Sequence, residues 1–261
     1  MGKIHFKNRK GQRIVALVDR SQKNQQGLVF VTHGLGGYKE QDHIKTFADA
    51  FKEEGFTVVR FDATNAFGES DGKYENATTT NYFEDLEDVI SWSSTQDWYT
   101  EPFWLAGHSL GGLSIILFAE KFPDKVKAIA PISTVVSGKL SLESPKYKKN
   151  EILKIWKENG WRIEKSTSRQ RAIKKLKWSH MEDRLKYDVL NNIDKLTMPV
   201  LLIVGDQDDS TPLEHQQILF DAISRKKELH LIKNAPHTFQ EMEHLAEIKE
   251  IFRNWIDKNK S

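Results

Sequence analysis

Short runs of β-branched and aromatic residues alternate with stretches of helical periodicity along the chain of 261 residues. Arg13–Asp19, Leu28–His33, Thr57–Asp62, Phe103–Gly107, Ala128–Ile132, Val200–Gly205 and Glu228–Ile232 read as strands. Several are apolar at every position, the pattern of strands covered on both faces. Ile4–Lys7 is more polar and ends at the Asn8–Gly11 turn, which predicts a short first strand at a sheet edge. Between the strands, Asp42–Glu54 places Ile44, Phe47, Ala48 and Phe51 on one helical face, and Tyr82–Trp92 does the same with Phe83, Leu86, Val89 and Ile90. Leu110–Lys121, Glu214–Ser224 and Ala246–Ile256 are further helices, the last with Ile248, Ile251, Phe252 and Trp255 as its apolar face. This β/α alternation predicts a mostly parallel, eight-stranded sheet with helices on both faces.

The rhythm breaks between Ser137 and Leu190, where helix-like patches replace strands. A stretch of this length between the sixth and seventh strands needs structure of its own. It reads as an inserted cap or lid, residues 137–190, over the carboxyl edge of a core formed by 1–136 and 191–261. Trp156, Trp161 and Trp178 fall within it; at helical spacing they are expected to form the cap's own core, with an aromatic pocket wall as the competing role.

Charge is uneven. Between Gly138 and Lys186 there are 15 Lys/Arg and 6 Asp/Glu, a local excess of +9 in a chain whose net charge is only +2. A solvated polar face explains such a run; an anion-recognising site is the sharper alternative. No nucleic-acid motif accompanies it, so no nucleic-acid partner is expected. The chain has no cysteine, which removes disulfides, thiolate nucleophiles and Cys-ligated zinc. No apolar stretch is long enough to span a bilayer, and Met1–Phe6 lacks the apolar segment of a secretory signal, so a cytoplasmic location is expected. The histidines and acids show no metal-ligand spacing, and Gly34-Leu35-Gly36-Gly37 lacks the register of a dinucleotide turn; no metal and no cofactor are expected.

Gly107-His108-Ser109-Leu110-Gly111 follows a strand and opens a helix. In that setting the G-x-S-x-G pattern makes a nucleophile elbow: the turn is too tight for side chains at the glycine positions and lifts the serine hydroxyl clear of the sheet. The alternative is a glycine-rich turn with an idle serine. A nucleophilic serine needs a base. Of the nine histidines, His237 lies in a turn-rich loop after the last strand, and His180, in the insertion, competes with it. Asp206, Asp208 and Asp209, all after the Val200–Gly205 strand, compete as the acid that would orient the base.

Gly107-His-Ser-Leu-Gly-Gly112, with His33-Gly-Leu-Gly-Gly37 after the third strand and Gly68-Glu-Ser-Asp-Gly72 after the fourth, resembles the α/β-hydrolase-fold serine hydrolases over nearly the whole chain. The Phe61–Thr78 region is similar to cinnamoyl- or feruloyl-esterase-like and monoacylglycerol-lipase-like members. The resemblance implies the order nucleophile, acid, base, hence Ser109, Asp208 and His237. Asp208 is singled out by a Gly-x-x-Asp pattern with Pro212 four residues on. It also implies an oxyanion hole from the backbone N–H groups of Leu35 and Leu110, a bracing role for His33, and a structural role for Ser70.

The expected activity is hydrolysis of small-molecule carboxylic esters with small or aromatic acyl groups. A peptidase, monoacylglycerol-type lipase or thioesterase would use the same three residues, and a non-catalytic or anion-binding protein on this scaffold is a further alternative. Nothing in the sequence reports the oligomeric state.

Overall fold

A computed structural model describes residues 2–21, 25–165 and 173–260. Arg169 and Arg171, part of the basic excess of the insertion, lie outside the described residues. The elements in order are β1 (Gly2–Lys7), β2 (Arg13–Asp19), β3 (Leu28–Thr32), α1 (Asp42–Glu53), β4 (Thr57–Asp62), α2 (Thr79–Ser93), β5 (Phe103–His108), α3 (Leu110–Lys121) and β6 (Val126–Ile132). Then come α4 (Gly138–Glu143), α5 (Pro145–Lys148), α6 (Ile152–Asn159), β7 (Trp161–Lys165), β8 (Ile173–Lys177), α7 (Ser179–Arg184), β9 (Val200–Gly205), α8 (Leu213–Ala222), β10 (Lys227–Ile232) and α9 (Met242–Asn259).

Eight strands form the main sheet in the order β1-β2-β4-β3-β5-β6-β9-β10. β1 and β4 both run antiparallel to β2, and every pair from β4 to β10 is parallel. This is the α/β-hydrolase fold, eight-stranded and mostly parallel, with helices on both faces. The all-apolar strands follow from two-sided burial: Leu28 and Phe30 of β3 face one core, Val29 and Val31 the other. On one face α1 and α9 close over the sheet, with Phe47 against Phe252 and Phe51 against Trp104. On the other lie α2, α3 and α8. No helix among the described residues is long and apolar enough to cross a membrane.

The parallel strands deliver their carboxyl ends to a single edge, where open α/β sheets bind ligands. The chain between β6 and β9 leaves and returns there side by side: Ser137 bridges Asp188, Gly138 N donates to Tyr187 O at 2.9 Å, and Val189 N to Val136 O at 3.1 Å. The Asp183 carboxylate accepts the backbone N–H and the hydroxyl of Thr80 at 2.8 and 2.7 Å, fastening α7 to the first turn of α2.

One expectation needs correction. The insertion is not built of helical patches alone, because β7 and β8 pair antiparallel, Arg162 opposite Leu176 and Glu164 opposite Lys174. Their alternation escapes a hydrophobicity pattern for a physical reason: of these four residues, which share one face, only Leu176 is apolar, and the isoleucines at 163 and 173 stand 64% and 68% exposed. Two of the three tryptophans behave as a core; Trp161 instead lies on the outer face of β7 beneath Lys175. Trp156 is buried, donates its indole N–H to Leu176 O at 3.0 Å and meets Trp178 edge-on.

Glu120 on α3 is buried, and its Oε1 has no hydrogen-bond partner among the described residues. Burial, set against nearby Lys195 and reinforced by Asp188 and Asp194, pushes its carboxyl up to about 8. A carboxyl raised in the folded state contributes stability that is complete below its ordinary value of 4.5 and is lost as pH climbs through about 8. Glu120→Gln, measured by thermal melts, should therefore raise Tm relative to wild type by about 2–4 °C more at pH 9 than at pH 5.

Candidate active site

The elbow after β5 is shaped by crowding. A Cβ on Gly111 would lie 2.5 Å from Thr32 Oγ1 and 2.6 Å from His33 O, and one on Gly107 would lie 2.6 Å from Gly111 O. With no side chain at either position, β5, the β3 loop and the first turn of α3 pack backbone to backbone. Ser109 takes up the turn at φ 55° and ψ −113°, a region a side-chain-bearing residue enters only under constraint. The constraint is visible: Ser109 N donates to Ile132 O at 2.9 Å, and Ser109 O accepts from Leu113 N at 3.1 Å and Val135 N at 3.3 Å.

β9 and β10 bring the other two residues together. Their parallel pairing continues past the strand ends, with Asp206 N donating to Ile232 O at 3.1 Å and Gln207 N to Ala235 O at 3.0 Å. Asp208 and His237 therefore face each other. His237 Nδ1 lies 2.8 Å from Asp208 Oδ2, and His237 Nε2 lies 2.9 Å from Ser109 Oγ. With Nδ1–H donating to the carboxylate, Nε2 is free to accept the serine proton. Burial alone would raise the Asp208 carboxyl, yet the neighbouring His237 and the Thr211 N–H and hydroxyl hold it well below the usual carboxylate range. Ser210 N and Thr211 N donate to Oδ1 at 2.9 and 2.8 Å.

Of the three aspartates weighed from sequence, Asp208 is thus the one at the histidine. Asp206 is exposed, and the Asp209 carboxylate accepts the Ser210 hydroxyl. His180, the competing base, is buried, with Nδ1 2.9 Å from Ala77 O and Nε2 accepting from Arg184 at 2.9 Å. Ser70 lies on the far side of β4, donating to Asp62 O at 2.6 Å and accepting from Val15 N at 2.8 Å.

Leu35 and Leu110 flank the serine. The loop after β3 passes so close that a Cβ on Gly34 would lie 3.0 Å from Ser109 Cβ. Neither the Leu35 nor the Leu110 backbone N–H has a hydrogen-bond partner among the described residues. His33 ties the loop to β4, accepting from Ala63 N at 3.0 Å and donating to Gly34 O at 2.8 Å, while Gly36 N donates to the Tyr82 hydroxyl at 3.1 Å.

Several supporting residues escaped the sequence reading. Lys39 is 1% exposed and reaches Asp62 Oδ2 at 2.7 Å, and its backbone N–H donates to Oδ1 of the same carboxylate at 2.7 Å. A buried lysine in a polar, glycine-rich loop carries no pattern that marks it as buried. His108, inside the elbow, donates Nε2–H to His237 O at 2.8 Å and so fixes the loop that carries His237. Burial, helped by His237, pushes the His108 ring down to about 3, which keeps it neutral. Thr211 lies 2.9 Å from both Asp208 Oδ2 and Ser133 O through its hydroxyl. Its position three residues after Asp208 was the available signal.

A cavity of about 470 Å³ opens over Ser109. Its floor is Gly34–Gly37, His108, Ser109, Thr211 and His237; the insertion supplies the opposite wall with Lys146, Tyr147, Arg162, Glu164, Lys174 and Arg184. None of Trp156, Trp161 and Trp178 is among the residues lining it.

The sequence model of the Hydrolase_4 family, described as serine aminopeptidase, S33, matches residues 23–243. Est1E from Butyrivibrio proteoclasticus, whose structure was solved with ferulic acid bound, aligns at a TM-score of 0.82 and 25% identity over 98% of each chain. The mitochondrial palmitoyl-protein thioesterase ABHD10 of Bos taurus is 25% identical over 214 residues, 79% of this chain and 65% of the relative. The thermostable monoacylglycerol lipase of Bacillus sp. (strain H-257) is 22% identical over 212 residues, 80% of this chain and 82% of the lipase.

The packing of the elbow sets a direct test. Gly111→Ala forces a methyl against the Thr32 and His33 backbone and should lower the unfolding free energy by about 3 kcal/mol, read by urea denaturation.

Proposed function

We propose that this chain, which belongs to the Hydrolase_4 (serine aminopeptidase, S33) family, hydrolyses carboxylic esters with small or aromatic acyl groups through an acyl-enzyme on Ser109. The observation that carries the reading is the hydrogen-bonded line Ser109–His237–Asp208, with contacts of 2.9 and 2.8 Å. It is the geometry of a hydroxyl with its general base and an acid that orients the base.

In this reading His237 Nε2 takes the Ser109 proton as Oγ attacks the ester carbonyl. The carbonyl oxygen becomes an anion between the Leu35 and Leu110 N–H groups, which have no other partner among the described residues. His237 returns the proton to the departing alcohol. Water then attacks the acyl-enzyme as His237 takes its proton, and the adduct collapses to free the acid while His237 returns that proton to Ser109 Oγ. The Asp208 carboxylate stabilises the imidazolium in both halves. Residues 137–190 act as a cap that excludes bulk water from the cavity and selects the substrate.

Est1E with ferulic acid supports an aromatic acid as product, and the monoacylglycerol lipase supports ester cleavage. The likeness to the palmitoyl-protein thioesterase favours thioesters as a second substrate class for the same residues.

A series of matched ester, thioester and amide substrates separates these classes. Esters should turn over fastest; amides cleaved at equal kcat/KM would make the chain a peptidase. Ser109→Ala should abolish turnover, and retained hydrolysis would refute the mechanism. Asp208→Asn should lower kcat by about 10³–10⁴-fold. Asp206→Asn and Asp209→Asn should change it by less than about threefold, since neither carboxylate reaches His237.

A further inference from the structure

The β7–β8 hairpin is turned inside out. Ile163 and Ile173 face solvent, while Arg162, Glu164 and Lys174, on the other face, line the cavity over Ser109. Lys146 of α5 and Arg184 of α7 complete that wall. Burying charge in a cap is unfavourable unless partners compensate it. Here the partners are too few: the cavity lining holds four Lys/Arg side chains and two carboxylates, Glu164 and Asp209.

The existing contacts leave most of this charge unanswered. Glu164 reaches Arg162 at 3.3 Å, and Arg162 also donates to the Tyr147 hydroxyl at 2.7 Å. Arg184 donates to His180, a neutral ring. Nε of both arginines has no partner among the described residues, and both side chains are more than nine-tenths buried. The ammonium groups of Lys146 and Lys174 line the cavity with no ion pair within 4 Å among the described residues, although Glu164, opposite Lys174 on β7, attracts its charge. The field of this cluster shows on its neighbours. Burial lowers the Lys174 ammonium against the attraction of Glu164, with Lys146 and Arg162 adding repulsion. Tyr147 is buried, which opposes ionisation, yet Arg162, Arg184 and Lys146 hold its phenol below the ordinary value.

We propose that this wall is a subsite for an anionic oxygen group, a carboxylate or phosphate, carried by the ester substrate. Lys146 and Lys174 would meet the anion directly, with Arg162 and Arg184 behind them. The substrate class narrows to small esters with a negative charge remote from the scissile bond, which fits a cavity of about 470 Å³. This inference rests on the ester-hydrolase reading above.

The test compares esters matched in size and differing in charge. On the acyl side these are the para-nitrophenyl hemiester of glutaric acid, its phosphonate counterpart and the neutral para-nitrophenyl pentanoate. On the alcohol side they are carboxyphenyl and phenyl butyrate. At least one anionic ester should exceed its neutral partner in kcat/KM by about 10–100-fold, and the stronger of the two acyl-side anions identifies the group recognised. The preference should shrink as ionic strength rises. In the double variant Lys146→Gln/Lys174→Gln the anionic-to-neutral ratio should fall by about tenfold or more.

Equal kcat/KM for charged and neutral members of every pair overturns the subsite while leaving ester hydrolysis intact. So does an anionic preference that survives the double variant. If no ester is cleaved, titration calorimetry of glutarate and inorganic phosphate into the wild-type protein decides the subsite alone. Saturable, salt-sensitive binding that is lost in the double variant supports it, and absence of binding overturns it.

Discussion

Ser109 sits at φ 55° and ψ −113°, and the alignment of its hydroxyl with His237 depends on that conformation being enforced. Such a residue costs about 1–3 kcal/mol and persists only where its surroundings leave no alternative. Here the surroundings are the end of β5, the first turn of α3 and the loop after β3, packed without side chains at Gly107 and Gly111. The strain is offset by the two cores that clamp the sheet from both faces. Fold stability and the placement of one oxygen atom are therefore the same problem.

The remaining parts of the site are extensions of strands. β9 and β10 stay in register past their ends, so Asp208 and His237 meet without a long-range tether. The loop after β3 is held by His33, by Tyr82 and by the buried Lys39–Asp62 pair. His108 links the elbow back to the histidine loop. Most of these supports are polar and buried, so each is expensive to break and each locks one loop. The insertion between β6 and β9 is different in kind. It is tied at its base by Ser137 and Asp188 and to α2 by Asp183, and its charged inner face differs from the apolar faces beneath it.

The sheet was legible because its strands are apolar on both faces and are separated by helices with a clear stripe. Ser109 and His237 were legible because strand, elbow and loop order leave few places for them. Asp208 needed more than its residue type, since Asp206 and Asp209 share it; the spacing to Pro212 made the choice, and the backbone N–H groups of Ser210 and Thr211 show why that carboxylate turns inward. Lys39 and the β7–β8 hairpin were not legible. Hydrophobic periodicity finds buried positions by their apolarity, and at these positions the buried residues are charged. The basic excess of the insertion was visible as a number, but a solvated face and a charged cavity wall give the same count. Only the strand pairing separates the two.

A nucleophilic Ser109 forms a covalent bond to the acyl carbon of an ester during turnover. Rapid acid quench of the protein with a para-nitrophenyl ester, followed by mass spectrometry of the intact chain and its peptides, reads this bond directly. A mass increase equal to one acyl group is expected, confined to the peptide that contains Ser109 and appearing with the first burst of nitrophenol. Nitrophenol release with no adduct, or an adduct on any other residue, would contradict it.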